Sequence, residues 1–148
     1  MDFSTLQEVI QFAIAKEKNA QTFYRSAASL SQYPGIGPLF LELAAEEEKH
    51  QKLLEELPDP LTLPEKSREI PDLKISDYLM DLKFQKDLKY QDVMILAMKN
   101  EEKSLKFYRA WESKTQDPAM KKLFTYLGDQ EAEHKYRLES TYDEKILD

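Results

Sequence analysis

A shift of 84 residues lays the second half of this sequence on the first. Glu101 falls on Glu17, Phe107-Tyr108-Arg109 on Phe23-Tyr24-Arg25, Pro118 on Pro34 and Phe124 on Phe40. Leu127, Glu131, His134 and Leu138 then fall on Leu43, Glu47, His50 and Leu54, and the offset runs without a gap from Gln7/Gln91 to Glu55/Glu139. Such a repeat constrains the fold more than any single motif, because whatever one half builds the other builds too.

Within each half the apolar residues recur at helical spacing. Ser4-x-x-Gln7 has the form of a capping box, and the helix it opens is expected to end between Ala28 and Ser31. Its seam is Leu6, Ile10, Ala13, Glu17, Ala20, Tyr24 and Ala27. After the turn Tyr33-Pro34-Gly35-Ile36-Gly37-Pro38, a second helix is expected to run to about Leu57, with the seam Phe40, Leu43, Glu47, His50 and Leu54. A third helix begins between Asp87 and Gln91, with the seam Tyr90, Met94, Ala97, Glu101, Ser104, Tyr108 and Trp111. Asp117-Pro118 supplies the N-cap and first-turn proline of a fourth, whose seam is Phe124, Leu127, Glu131, His134 and Leu138 and which frays past Tyr142.

The expectation is a single all-α domain over residues 1–148: a hairpin over 4–57, a crossover over 58–87 and a second hairpin over 88–142. Pro58, Pro60, Pro64 and Pro71 exclude a continuous helix in the crossover, which has room for a short one over Ser76 to Leu82. Two hairpins joined by a crossover make a four-helix bundle. Three glycines in 148 residues and a charged fraction of 33% agree with that class.

Whole function classes drop out on composition. A net charge of −7 with no run of Lys and Arg argues against nucleic acid as a partner. The apolar run Val93 to Met98 is far too short to span a bilayer, so no membrane association is expected. The N-terminal residues have neither a basic n-region nor an apolar h-region, so a cytoplasmic protein is expected. With no cysteine, thiol catalysis, disulfides and Cys-ligated zinc or iron–sulfur centres are excluded within this sequence.

What remains is in the middle of the seams. Glu17, Glu47, His50, Glu101, Glu131 and His134 are ionisable residues at positions that should face a core, and His50 and His134 are the only histidines. Each histidine follows a glutamate by three residues, so a carboxylate and an imidazole share one helix face. Four uncompensated carboxylates in a core would cost many kcal/mol or stay protonated. Two divalent cations would balance them, and one Glu from each of two helices plus Glu-x-x-His from each of the others is the dinuclear carboxylate pattern of bundles. Oxygen-rich, sulfur-free ligation suits iron, or manganese, better than structural zinc. Glu47 and Glu131 would bridge, Glu17 and Glu101 would be terminal, and each His would bind one ion.

Other residues have blander readings. Glu46, Glu48, Glu102 and Glu133 are expected to be solvated. Tyr24 and Tyr108 each lie seven residues after a ligand glutamate. They are either tyrosines hydrogen-bonded to a ligand carboxylate or amphipathic core residues. Trp111, Phe23, Phe107 and Phe124 are expected to pack, and Gly128 to mark a close helix contact.

Through Glu17…Tyr24, Glu47-x-x-His50, Glu101…Tyr108 and Glu131-x-x-His134, the whole sequence resembles the rubrerythrin branch of the ferritin-like superfamily. The resemblance implies a ferritin-like bundle holding two iron ions, paired into homodimers, that reduces hydrogen peroxide or reacts with dioxygen. The rubredoxin-like domain of full rubrerythrins has no counterpart here, so the expected electron donor is another protein such as rubredoxin. The family's extra ligand glutamate, one turn after the third-helix glutamate, is replaced by Ser104. A ferritin-like protein that oxidises and sequesters ferrous iron is the second reading. A bundle that metal only stabilises is the third.

Overall fold

The computed structural model describes residues 5–30, 36–56, 70–78 and 89–144. Among them the regular structure is entirely helical: α1 Leu6–Leu30, α2 Ile36–Glu56, a short 3₁₀ turn Ile75–Tyr78, α3 Tyr90–Lys114 and α4 Pro118–Tyr142. The chain divides into two compact units, residues 1–59 and 60–148, each built on one helical hairpin.

In the first unit, Thr5 Oγ1 accepts the Glu8 N–H at 3.1 Å, which satisfies one of the free donors at the start of α1. The cap is thus one residue later than the Ser4-x-x-Gln7 reading, whose Ser4 lies outside the described residues. Only five residues separate α1 from α2, too few to return along a helix of 25 residues, so the two packed helices run antiparallel. The second half of the expected turn, Ile36-Gly37-Pro38, is the first turn of α2. Pro38 fits there because the first amides of a helix have no carbonyl to bond. Val9, Ala13, Tyr24 and Ala27 of α1 pack with Ile36, Phe40, Leu43 and Leu54 of α2 as the core.

The second unit opens, among the described residues, with an irregular stretch around Pro71 and the 3₁₀ turn, which covers the front of the expected Ser76–Leu82 helix. Pro58, Pro60 and Pro64 lie outside the described residues. Asp117 caps α4 through its side chain, which accepts the N–H groups of Ala119 and Met120 at 2.8 and 3.2 Å. Met94, Ala97 and Tyr108 of α3 and Phe124, Leu127 and Leu138 of α4 are buried, as their spacing requires. The 3₁₀ turn rests against α3.

Candidate metal centre

In the first hairpin, α1 supplies Glu17, and α2 supplies Glu47 and His50 one turn apart. His50 Nδ1 lies 3.8 Å from Glu17 Oε2 and 3.9 Å from Glu47 Oε1. In the second, α3 supplies Glu101, and α4 supplies Glu131 and His134. There His134 Nδ1 lies 3.7 Å from Glu101 Oε1. None of the six residues exposes more than 9% of its surface. Each hairpin therefore buries two carboxylates and an imidazole, and brings the imidazole to the glutamate of the neighbouring helix.

These separations are too long for hydrogen bonds. They fall within the reach of one ion bonded to both groups at about 2.1 Å. Charge makes the same case. Burying two carboxylates costs several kcal/mol for each unless a cation accompanies them. One divalent ion per hairpin balances the charge, and the oxygen–nitrogen donor set fits iron. The residues present thus fit the di-iron centre that the sequence resemblance implies.

Tyr24 and Tyr108 are buried on the same stripes as Glu17 and Glu101. Tyr24 stacks on Phe40 with ring centroids 6.0 Å apart, and Tyr108 lies 6.4 Å from Phe124. Ser104 is buried one turn after Glu101. Glu133 is exposed and Glu46 and Glu48 are partly exposed, but Glu102 departs from the solvated reading with a side chain only 15% exposed.

The reason is a cation that the sequence does not reveal. Lys135, the residue after His134, is buried on α4. Its ammonium lies 2.5 Å from Asp72 Oδ1, 3.0 Å from Glu102 Oε2 and 3.3 Å from Glu139 Oε1. The other Glu139 oxygen accepts the Ser76 N–H at 2.9 Å. Burial pushes the Glu102 and Asp72 carboxyls up, but the hydrogen bond and charge of Lys135, together with Lys106 beside Glu102 and Lys74 beside Asp72, outweigh it and hold both below the usual carboxylate range. Burial pulls the Lys135 ammonium down, yet the bonds to Asp72 and Glu102 carry it well above the ordinary lysine value. The only sequence sign of this cluster is the Lys135/Glu139 spacing of one helical turn; Asp72 is 63 residues away.

No curated protein matches the chain. A solved structure of a hypothetical protein from Pyrococcus furiosus is similar, with 30% identity over 95% of this chain and 89% of that one, at a TM-score of 0.63. The family model named Rubrerythrin matches residues 8–142, from the first turn of α1 to the last residue of α4. The chain belongs to the rubrerythrin family, with the family's all-α, ferritin-like four-helix bundle as its fold class.

Proposed function

We propose that Glu17, Glu47, His50, Glu101, Glu131 and His134 are the ligands of one di-iron centre, and that the protein uses it to reduce hydrogen peroxide. The observation that carries this reading is the duplicated, buried Glu/Glu/His set, one copy per hairpin. When bound there, two ferrous ions supply the two electrons that, with two protons, turn peroxide into two waters. The chain's own part is to hold the ions through four carboxylates and to exclude water by burying all six ligands. Tyr24 and Tyr108, on the same stripes, are assigned to hydrogen bonds that orient the ligand carboxylates. Ser104 stands where the family's additional glutamate is expected, so the ligand set is symmetrical, three from each hairpin.

The electrons come from a separate protein, rubredoxin being the type expected from the family. The working form is a homodimer, and the setting is the cytoplasm. Among the described residues no helix is long and apolar enough to cross a membrane.

The test is metal analysis of anaerobically purified protein, followed by rapid mixing of the ferrous form with peroxide and, separately, with dioxygen. Two irons per chain, oxidation by peroxide and re-reduction by reduced rubredoxin are expected. Glu47→Ala and Glu131→Ala should each lose most of the metal, while Lys49→Ala and Glu133→Ala, at exposed positions, should keep it. Two irons retained in both ligand variants would overturn the assignment. A large shell that fills with mineral iron would replace peroxide reduction with iron storage.

A further inference from the structure

The second hairpin carries aromatic side chains in a continuous run from its buried stripe to its surface. Tyr108 is buried, and its ring lies 6.4 Å from Phe124. Phe124 stacks on Trp111 at 6.1 Å. Phe107 closes the other side, 5.5 Å from Tyr108 and 6.4 Å from Trp111. At these centroid separations neighbouring rings are in contact. Trp111, the chain's single tryptophan, is partly exposed and has the Lys114 ammonium 5.3 Å from its ring centroid, so its outer edge belongs to the charged surface.

The inner end of the run points to the ligands. Tyr108 lies seven residues after Glu101, a rise of about 10 Å along α3, and long side chains on a helix lean back toward its N-terminus. Among the described residues the first hairpin has no run that ends in a tryptophan. Phe23, Tyr24 and Phe40 repeat Phe107, Tyr108 and Phe124, but Ala27 stands in the place of Trp111 and is buried. Phe23 reaches the surface beside Tyr24 but cannot be oxidised by one electron, so among the described residues a redox-active ring at the surface end stands on one side of the repeat alone. Tyrosine and tryptophan are also the two side chains of this run that can be oxidised by one electron.

We propose that Trp111, Phe124 and Tyr108 form a one-electron relay between the surface of the second hairpin and its Glu101–Glu131–His134 ligands. The inference rests on the peroxide reading for its use. When peroxide is reduced with only one electron supplied at the ligands, Tyr108 gives the second electron and passes its phenolic proton to a departing peroxide oxygen. The other proton comes from solvent, so that two waters form and Tyr108 is left as a neutral phenoxyl radical. Trp111 returns an electron to Tyr108, whose oxygen takes a proton from water, and the indole gives its Nε1 proton to solvent. A one-electron reductant reaching the exposed edge of Trp111 then restores it, with a proton from solvent. Phe124 stays closed-shell throughout and serves as the bridge between the two redox-active rings.

The relay is tested from its outer end by pulse radiolysis of the as-isolated protein in azide solution. Azidyl radicals oxidise tryptophan selectively, and with one tryptophan the starting radical is assigned. The expected result is decay of the tryptophanyl absorption, with matching growth of the tyrosyl absorption, at a rate independent of protein concentration. This first-order phase should be lost in Tyr108→Phe and in Trp111→Phe, and kept in Tyr90→Phe at the far end of α3. A tryptophanyl radical that decays only in proportion to protein concentration overturns the relay. So does a first-order phase that survives in either Tyr108→Phe or Trp111→Phe. Transfer that persists in a protein unreactive toward peroxide would retire the peroxide reading and leave the relay standing.

Discussion

The two hairpins bury the same ligands in the same places but secure them differently. In the first, Gln51 accepts a hydrogen bond from Gln21 at 2.7 Å and donates one to Glu55 at 3.3 Å, all between neutral amides and an exposed carboxylate. In the second, the residue at the position of Gln51 is Lys135, whose buried ammonium gathers Asp72, Glu102 and Glu139. The arginines differ in the same sense. Arg25 reaches Glu48 at 3.4 Å across an exposed surface, whereas Arg109 holds the nearly buried Asp129 at 2.8 Å. The ligands are duplicated without exception, whereas several of the charged partners around them are not. The added task explains the difference, since the second hairpin must also hold residues 70–78, and it does so through Asp72 and the Ser76 amide.

The largest expected effect comes from removing that cation. Lys135→Met keeps the side-chain length but leaves Glu139 buried without its ammonium partner, and Glu102 with only the exposed Lys106 at 3.2 Å, which costs about 3–5 kcal/mol. Asp72 is nearly half exposed, so water takes up much of its share. Gln51→Met, the matching change in the first hairpin, removes neutral hydrogen bonds worth about 1 kcal/mol. Denaturant unfolding of both variants, each with its metal content measured, compares them. Equal losses would mean that the charged cluster does not distinguish the hairpins.

Its pH dependence is the next largest effect. Asp72 and Glu102 have lowered folded values, so their contribution is complete above the unfolded carboxylate range of about 4 and is lost as pH falls through the folded values. Lys135 has a raised folded value, so its contribution is complete below about 10.4 and is lost as pH rises beyond it. The stability difference between the wild type and Lys135→Met should therefore be flat from roughly pH 5 to pH 9 and shrink on both sides. A slope near neutrality in that difference would place another titrating group in the cluster.

The seams were legible because a helix repeats a face every three or four residues, and Glu17, Glu101 and both Glu-x-x-His pairs fall on that repeat. Asp117-Pro118 was legible because both residues act through local backbone chemistry. The α2 start was less so, since Ile36-Gly37-Pro38 serves a turn or a first helical turn equally well. Lys135, Glu102 and Glu139 lie off the seam, and charged residues there are assigned to solvent unless a partner is known. That partner sits in residues 70–78, where no periodicity predicts what the backbone will meet. Trp111 shows the same limit: its spacing gave packing, while the ring contacts that link it to Tyr108 needed coordinates.

The smallest effect concerns Gly128, which matches Ala44 in the first hairpin. A Cβ at Gly128 would stand 2.8 Å from Arg109 Nη1 and 3.1 Å from its Cζ, so the close contact expected there is with a guanidinium. Arg109 can swing aside, because the clash is with the end of a flexible side chain, but it would then loosen its 2.8 Å bond to Asp129. Gly128→Ala gains about 1 kcal/mol of helix propensity. It gives back a comparable amount from a partly buried ion pair. The net change in unfolding free energy should be close to zero. Removing the guanidinium first, with Arg109→Met, should uncover the whole gain, so that Gly128→Ala then stabilises by about 1 kcal/mol. Ala44→Gly, in a hairpin whose Arg25 lies out on the surface, should simply cost about 1 kcal/mol. If Gly128→Ala stabilises the wild type as much as it does Arg109→Met, room for Arg109 is not what keeps glycine at this position, and in that respect the two hairpins would be alike.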